Sequence, residues 1–294
     1  MSRLARVVAQ AKINLFLRVL AREVSGYHSI ETAFLRVDLG DEVCVREASG
    51  RSIGCTGPAM PANGLGATAR NIAFRAAAAY ANATGWPRGF AIEIIKRIPV
   101  GGGLGGGSAD AGAVLRALDA LSPRPLGPRL VELAIPLGAD VPFMTIESPM
   151  ALAWGRGERL LPLHPLDQRD VVLLVPNFPI ATGDAYGWVA SDRGTYAPSA
   201  SVLVPESLAT WEGMSVIATN DFERPVARRH PEIGELVDAL KEADASVAML
   251  SGSGSTVFGV FSQLPDPTPG SHLAGITAIT TRTSTRVAPV EIAD

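Results

Sequence analysis

Apolar and polar residues alternate through Arg6-Val7-Val8-Ala9-Gln10-Ala11-Lys12-Ile13-Asn14-Leu15-Phe16-Leu17, and that two-residue period predicts one strand or two. Lys12 and Asn14 then share a face. Ser25-Gly26-Tyr27-His28 reads as a turn, and strand-like stretches at 31–37 and 42–47 extend the pattern into an antiparallel sheet. The period changes downstream. Asn71 to Ala81 is Ala-rich and helical, and Phe90 to Ile95 is a strand. Ser108 to Leu121 carries apolar residues at 111, 114, 115, 118 and 121, the signature of a helix with one buried face and Asp110 in its first turn. A second helix over 128–137 ends at Gly138, and Pro142 stops helix from continuing through Asp140. Strands are predicted over 170–176 and 256–261. Asn220-Asp221 caps a helix over 222–242, while Ser191 to Glu212 lacks a period and reads as a long loop. The fold class is α+β. A Pro- and Leu-rich link from Leu161 to Asp170 divides the chain into residues 1–162 and 163–294.

The chain has 294 residues, 47% hydrophobic and 19% charged, which suffices for a full core and excludes disorder and collagen-like order. No apolar run approaches the roughly 18 residues of a membrane span, and no signal-peptide core follows Met1, so the expectation is a soluble, cytoplasmic protein. Net charge is −3, and no cluster of basic residues interleaved with aromatics argues for a nucleic-acid surface. Cys44 and Cys55 lie eleven positions apart among only four histidines, which favours half-buried thiols over a disulfide framework or zinc site. Arginine accounts for 23 of the 26 basic residues, leaving lysine at 12, 96 and 241. Lysine is a compact charge whose pKa can shift, so Lys12 and Lys96 become candidates for specific work.

Six of the seven residues from Gly101 to Gly107 are glycine, a run whose conformational entropy is costly to fix and needs a reason. Phosphate binding supplies one: backbone N–H groups unhindered by side chains converge on an anion at the start of a helix. A flexible linker would not be flanked by a strand and a strongly periodic helix. Walker A is absent, because Gly107 is followed directly by Ser108 without lysine. The GxGxxG match is incidental among so many glycines, and no acidic residue stands about 20 positions further on for a ribose.

Pro99-Val100-Gly101-Gly102-Gly103-Leu104-Gly105-Gly106-Gly107-Ser108-Ala109 instead resembles the phosphate loop of the galactokinase, homoserine kinase, mevalonate kinase and phosphomevalonate kinase superfamily. Within it, Ala11 to Leu17, Gly26-Tyr27-His28, Asp38 to Asp41, Leu137 to Pro142, Gly155 to Glu158, Asn220-Asp221 and Ser251 to Gly254 resemble the family of 4-diphosphocytidyl-2-C-methyl-D-erythritol kinases in order and spacing. The resemblance implies a two-domain small-molecule kinase with its site in the interdomain cleft. It implies ATP held by residues 99–109 with Asn71 and Lys96, and magnesium carried with it on ligands left unassigned. Lys12 and Asp140 become the catalytic pair, with Asp140 as base. Asn14 would orient the erythritol, Tyr27 would stack on cytosine, His28 would read its edge, and Thr182 and Tyr186 would cover the other face. Plainer readings stand beside these: Asp140 as a surface aspartate, Tyr27 and His28 as turn residues, Lys96 as a strand-end charge, Ser251 to Gly254 as a simple turn. Another small-alcohol kinase, or a non-catalytic nucleotide-binding relative, is the alternative function.

Overall fold

A computed structural model of the chain describes residues 3–22, 28–192 and 203–293. Strands β1 (Leu4–Arg22) and β2 (His28–Glu47) form a long antiparallel pair that β4 (Phe90–Ile95), β3 (Arg51–Thr56) and β11 (Glu291–Ala293) widen in the order β11-β1-β2-β4-β3. A hairpin of β5 (Met150–Gly155) and β6 (Arg159–Pro162) joins through β2, giving seven strands. β3 and β4 run parallel, with α1 (Ile72–Thr84) as their crossover. A second, antiparallel sheet has the order β10-β7-β9-β8, from β7 (Asp170–Pro176), β8 (Val247–Leu250), β9 (Val257–Phe261) and β10 (Ile276–Arg282). The sheets part between Pro162 and Asp170, and β11 then returns to pair with β1 of the first sheet.

Alternation holds where one face of a strand meets water and fails where both are covered. β1 alternates from Leu4 to Ala9, then is buried continuously to Leu17, because α2 (Gly106–Leu121) packs against it, Leu17 bonds to the segment 219–221, and Gln10 bonds to Ser284 and Ala288 of the tail. α2 itself is more enclosed than its apolar period predicts. Asp110, Gly112 and Arg116 are buried along with the expected face, since α1, α4 (Val141–Thr145) and the tail at Ala288 pack around it.

Several predicted elements change at proline. The helix expected over 128–137 is only α3 (Leu130–Ala134), flanked by 3₁₀ turns with Pro128 and Pro136 in their first positions. Helix stops before Asp140 as expected, and Pro142 then sits in the first turn of a new one, α4, where its missing N–H would be unpaired in any case. The helix expected over 222–242 breaks into α7 (Glu223–Ala227) and α8 (Pro231–Glu242), because Pro231 starts a new helix. The expected loop at 191–212 lies partly outside the described residues; its end holds a 3₁₀ turn, Pro205–Leu208, and the start of α6 (Trp211–Ile217). Helix α5 (Thr182–Asp192) and strands β3, β5, β6, β8, β10 and β11 have no counterpart among the predicted elements. None of the described helices is long and apolar enough to cross a membrane.

Candidate active site

Register slips bracket the Lys12–Asn14 segment of β1, which itself stays paired with Arg36, Leu35 and Phe34 of β2. Lys12 N–H donates to Leu104 O at 3.0 Å, stitching the strand to the glycine loop. The shared face expected from the two-residue period is realised: Lys12 Nζ donates to Asn14 Oδ1 at 2.7 Å and to Gly103 O at 2.8 Å. Asn14 Nδ2 donates to Thr32 Oγ1, which fixes its orientation.

The loop reaches this position between the end of β4 and the start of α2. The helix begins at Gly106, two residues before the expected start, with Gly105 as its N-cap at φ +72°. First-turn amides of Gly106, Gly107 and Ser108 thus face the cleft unpaired within the helix, at the positive end of its dipole. Ala109 is buried, donates its N–H to Gly105 O, and does not line the cleft. From the second sheet, the turn 251–256 closes on the same loop: Ser251 Oγ donates to Gly103 O at 3.1 Å and Thr256 N–H to Gly102 O at 3.2 Å. A Cβ at Gly103 would collide with the Ser251 carbonyl oxygen, and φ is +78°, so only glycine passes here. The expected cap is displaced, since Phe222 is the N-cap of the helix Glu223–Ala227 without a side-chain bond; Asn220 instead accepts from Phe222 N–H and donates both amide hydrogens, to Leu250 O and Gly252 O, while Asp221 Oδ2 accepts from Val19 N–H of β1.

Asp140 is the N-cap residue of α4, yet its side chain makes no capping hydrogen bond and its carboxylate stays available to the cleft. Oδ2 lies 3.9 Å from Lys12 Nζ. Arg36, buried beneath α4, donates to the carbonyls of Phe143 (2.8 Å) and Ile146 (3.1 Å) and so anchors the helix end behind Asp140. Burial pulls the Lys12 ammonium below the ordinary lysine range, and the Asp140 carboxylate partly restores it.

Lys96 is no surface charge. It is 2% exposed and bonded to both Asp41 and Asp110, the latter at 2.7 Å. Asp41 also accepts the N–H groups of Arg97 and Ile98, so one carboxylate fixes the loop's first residues. Burial opposes the Lys96 charge, but the two carboxylates outweigh it and raise its pKa; burial also pushes Asp110 up to about 8. Asn71 is the N-cap of α1, its Oδ1 accepting from Ala73 and Phe74 N–H, with the residue at the cleft wall.

On the far side, His28 stacks on Tyr186 with centroids 4.8 Å apart and planes 12° from parallel. His28 thus presents one ring face to Tyr186. Burial and the nearby Asp140 charge raise the Tyr186 phenol to about 12. Thr182 Oγ1 lies 3.1 Å from Ser253 Oγ. Tyr27 lies outside the described residues.

Lys12, Asn14, His28, Asn71, Lys96, the loop residues 99–108, Asp140, Thr182 and Tyr186 line one cleft of about 1600 Å³. A single small-molecule site occupies ~300–1,000 Å³, so the space accommodates two ligands end to end. Its walls add Arg70, Arg75, Arg156, Glu158, Arg159 and Phe222 to the residues expected from sequence. Cys44 and Cys55 are half-buried and free, as expected.

Two family models match the chain: the GHMP kinases N terminal domain over residues 71–147 and the GHMP kinases C terminal domain over 208–269. The first takes in the glycine loop and Asp140. A 4-diphosphocytidyl-2-C-methyl-D-erythritol kinase of Citrifermentans bemidjiense is 38% identical over 259 residues, 87% of this chain and 89% of that protein. One from Anaeromyxobacter dehalogenans is 42% identical over 261 residues, 86% of this chain and 80% of its own length. The chain belongs to this kinase family. A crystal structure of a 4-(cytidine 5'-diphospho)-2C-methyl-D-erythritol kinase superposes with a TM-score of 0.75 at 33% identity, covering 95% of this chain and 99% of that one. Homoserine kinase from Cytophaga hutchinsonii, at 17% identity and a TM-score of 0.66, shares the fold. The α+β, two-sheet architecture is that of the GHMP kinases.

Proposed function

We propose that this chain transfers the γ-phosphoryl group of ATP to the 2-hydroxyl of 4-diphosphocytidyl-2-C-methyl-D-erythritol. The products are the 2-phosphate and ADP, and the step belongs to non-mevalonate isoprenoid precursor synthesis in the cytoplasm. The observation that carries the reading is the Lys12–Asp140 pair at 3.9 Å, with the same ammonium bonded to Gly103 of the phosphate loop.

Phosphoryl transfer requires alignment, neutralisation of charge on the moving group and removal of one proton. First-turn amides of α2 receive the ATP phosphates. Asp140 accepts the proton of the attacking hydroxyl, and its side chain is free of helix-capping bonds that would compete for that lone pair. Lys12 faces the oxygens on which charge accumulates. Asn14, held by Thr32, orients the tetrol portion. Asn71 and the Lys96 segment wall the nucleotide end. His28, Tyr186, Thr182 and Tyr27 receive the cytosine, with the His28 edge reading it. Among the described residues no cluster of three or more His, Cys, Asp or Glu could cage a metal ion. The Ser108 hydroxyl at the loop's end fits the sparse oxygen donor set of magnesium carried on ATP phosphates, where it would supply charge neutralisation.

Incubation with ATP and 4-diphosphocytidyl-2-C-methyl-D-erythritol, with ADP release followed by a coupled assay and product position by phosphorus NMR, tests the reading. Phosphate on the 2-hydroxyl supports it. Turnover of homoserine or mevalonate in preference to the cytidine compound would replace it with another small-alcohol kinase.

A further inference from the structure

The turn between β5 and β6 is the part of the cleft wall that neither the phosphate loop nor the Lys12–Asp140 pair explains. Gly157 stands there at φ +113°, and a Cβ on it would lie 2.8 Å from the Ala139 carbonyl oxygen. The turn therefore packs backbone against backbone on the residue preceding Asp140. On its other side, the β2–β5 ladder pairs Ile30 with Gly155, so His28, two residues earlier on β2, lies just beyond the same turn. The turn stands between the His28–Tyr186 stack and Asp140.

Its shape is fixed internally. Arg156 N–H donates to Glu158 Oε2 at 2.6 Å, and the Glu158 carboxylate folds back close to Gly155. Arg159 Nε lies 3.8 Å from Glu158 Oε1, with its side chain 67% exposed. Arg156 and Arg159 both line the cleft. Of the other cations on the cleft wall, Lys12 bonds to Gly103 O of the phosphate loop, Lys96 is held by Asp41 and Asp110, and Arg70 and Arg75 stand next to Asn71 in the chain.

A cytidine diphosphate substrate carries its base at one end, the reacting alcohol at the other and two anionic phosphates between. The geometry points to Arg156 and Arg159 as the subsite for that diphosphate, on the turn that flanks His28 on one side and touches Ala139, next to Asp140, on the other. This rests on the function proposed above. Arginine suits the task because its planar fork binds phosphate oxygens in pairs. The braced turn presents both side chains from a rigid backbone.

The test compares cytidine 5'-diphosphate with cytidine as calorimetric titrants, with a non-hydrolysable ATP analogue saturating the glycine loop. Wild type and the double variant Arg156→Gln/Arg159→Gln are titrated side by side. Wild type is expected to bind the diphosphate more tightly than the nucleoside, and the double variant to lose about tenfold in diphosphate affinity with cytidine binding unchanged. A loss under about threefold, or an equal loss for both titrants, overturns the subsite. Wild type that binds neither titrant would overturn the functional reading as well, a result distinguishable because it needs no variant.

Discussion

Lys12 and Lys96 are both buried, both lie against the glycine loop, and both were singled out by being lysine in an arginine-rich chain. Their surroundings set them to different work. Lys96 is bonded to Asp41 and Asp110, and Asp41 also accepts the amides of Arg97 and Ile98 that lead into the loop, so its charge is engaged by buried structural partners. Lys12 bonds to an amide oxygen and a carbonyl oxygen, with its carboxylate further off at 3.9 Å, so its charge remains directed at the cleft. Burial lowers the pKa of Lys12, while Lys96 is raised despite burial. A buried lysine whose charge stays directed at the cleft is placed for chemistry; one bonded to two buried carboxyl groups holds the scaffold.

Removing each ammonium should separate these roles. Lys12→Met should fold as wild type and lower kcat by about 10²–10³-fold, the scale of losing one charge-stabilising donor. Steady-state kinetics with a urea melt on the same preparation checks it, and a near-normal kcat would erase the contrast. Lys96→Met should instead lower stability by roughly 3–5 kcal/mol, since it strands two buried carboxylates. Its folded fraction should retain turnover close to wild type. A smaller expected effect sharpens the substrate end: Tyr186→Ala should raise KM for the cytidine substrate about tenfold by removing a stacking face, with KM for ATP unchanged.

A last expected effect concerns pH. Asp110 sits near 8 in the folded chain against an ordinary 3.8, so the native state holds a proton that the unfolded chain has released between those values. Stability from this group is therefore present at low pH and is lost as pH rises toward 8. Urea midpoints across pH 4–8 should show a shallower decline in Asp110→Asn, where that proton is no longer at stake. An identical slope would mean that the Lys96 pair keeps Asp110 ionised throughout.

Features set by local chain chemistry were readable in advance. The glycine loop, the apolar period of α2 and the strand at 170–176 each lie within a short window, and Lys12 and Asn14 share a face because strands repeat every two residues. What escaped reading depends on distant partners. Lys96 meets Asp41 from 55 positions away and Asp110 from 14, and nothing local distinguishes that carboxylate pair from solvated charges. The anchoring of α4 by Arg36 spans more than 100 residues. Pro231 and Pro142 were visible, but proline both ends and begins helices, and only packing decides which. The β5–β6 turn is legible only once the β2 ladder sets it beside His28.

The central claim is that Asp140, paired with Lys12 beside the phosphate loop, receives the proton of the substrate alcohol. Single-turnover transfer from ATP to 4-diphosphocytidyl-2-C-methyl-D-erythritol by Asp140→Asn, with ATP affinity measured on the same sample, tests it most directly. The account expects unchanged ATP binding and a rate lower by about 10²–10⁴-fold. A rate within about threefold of wild type, at equal ATP affinity, would contradict it.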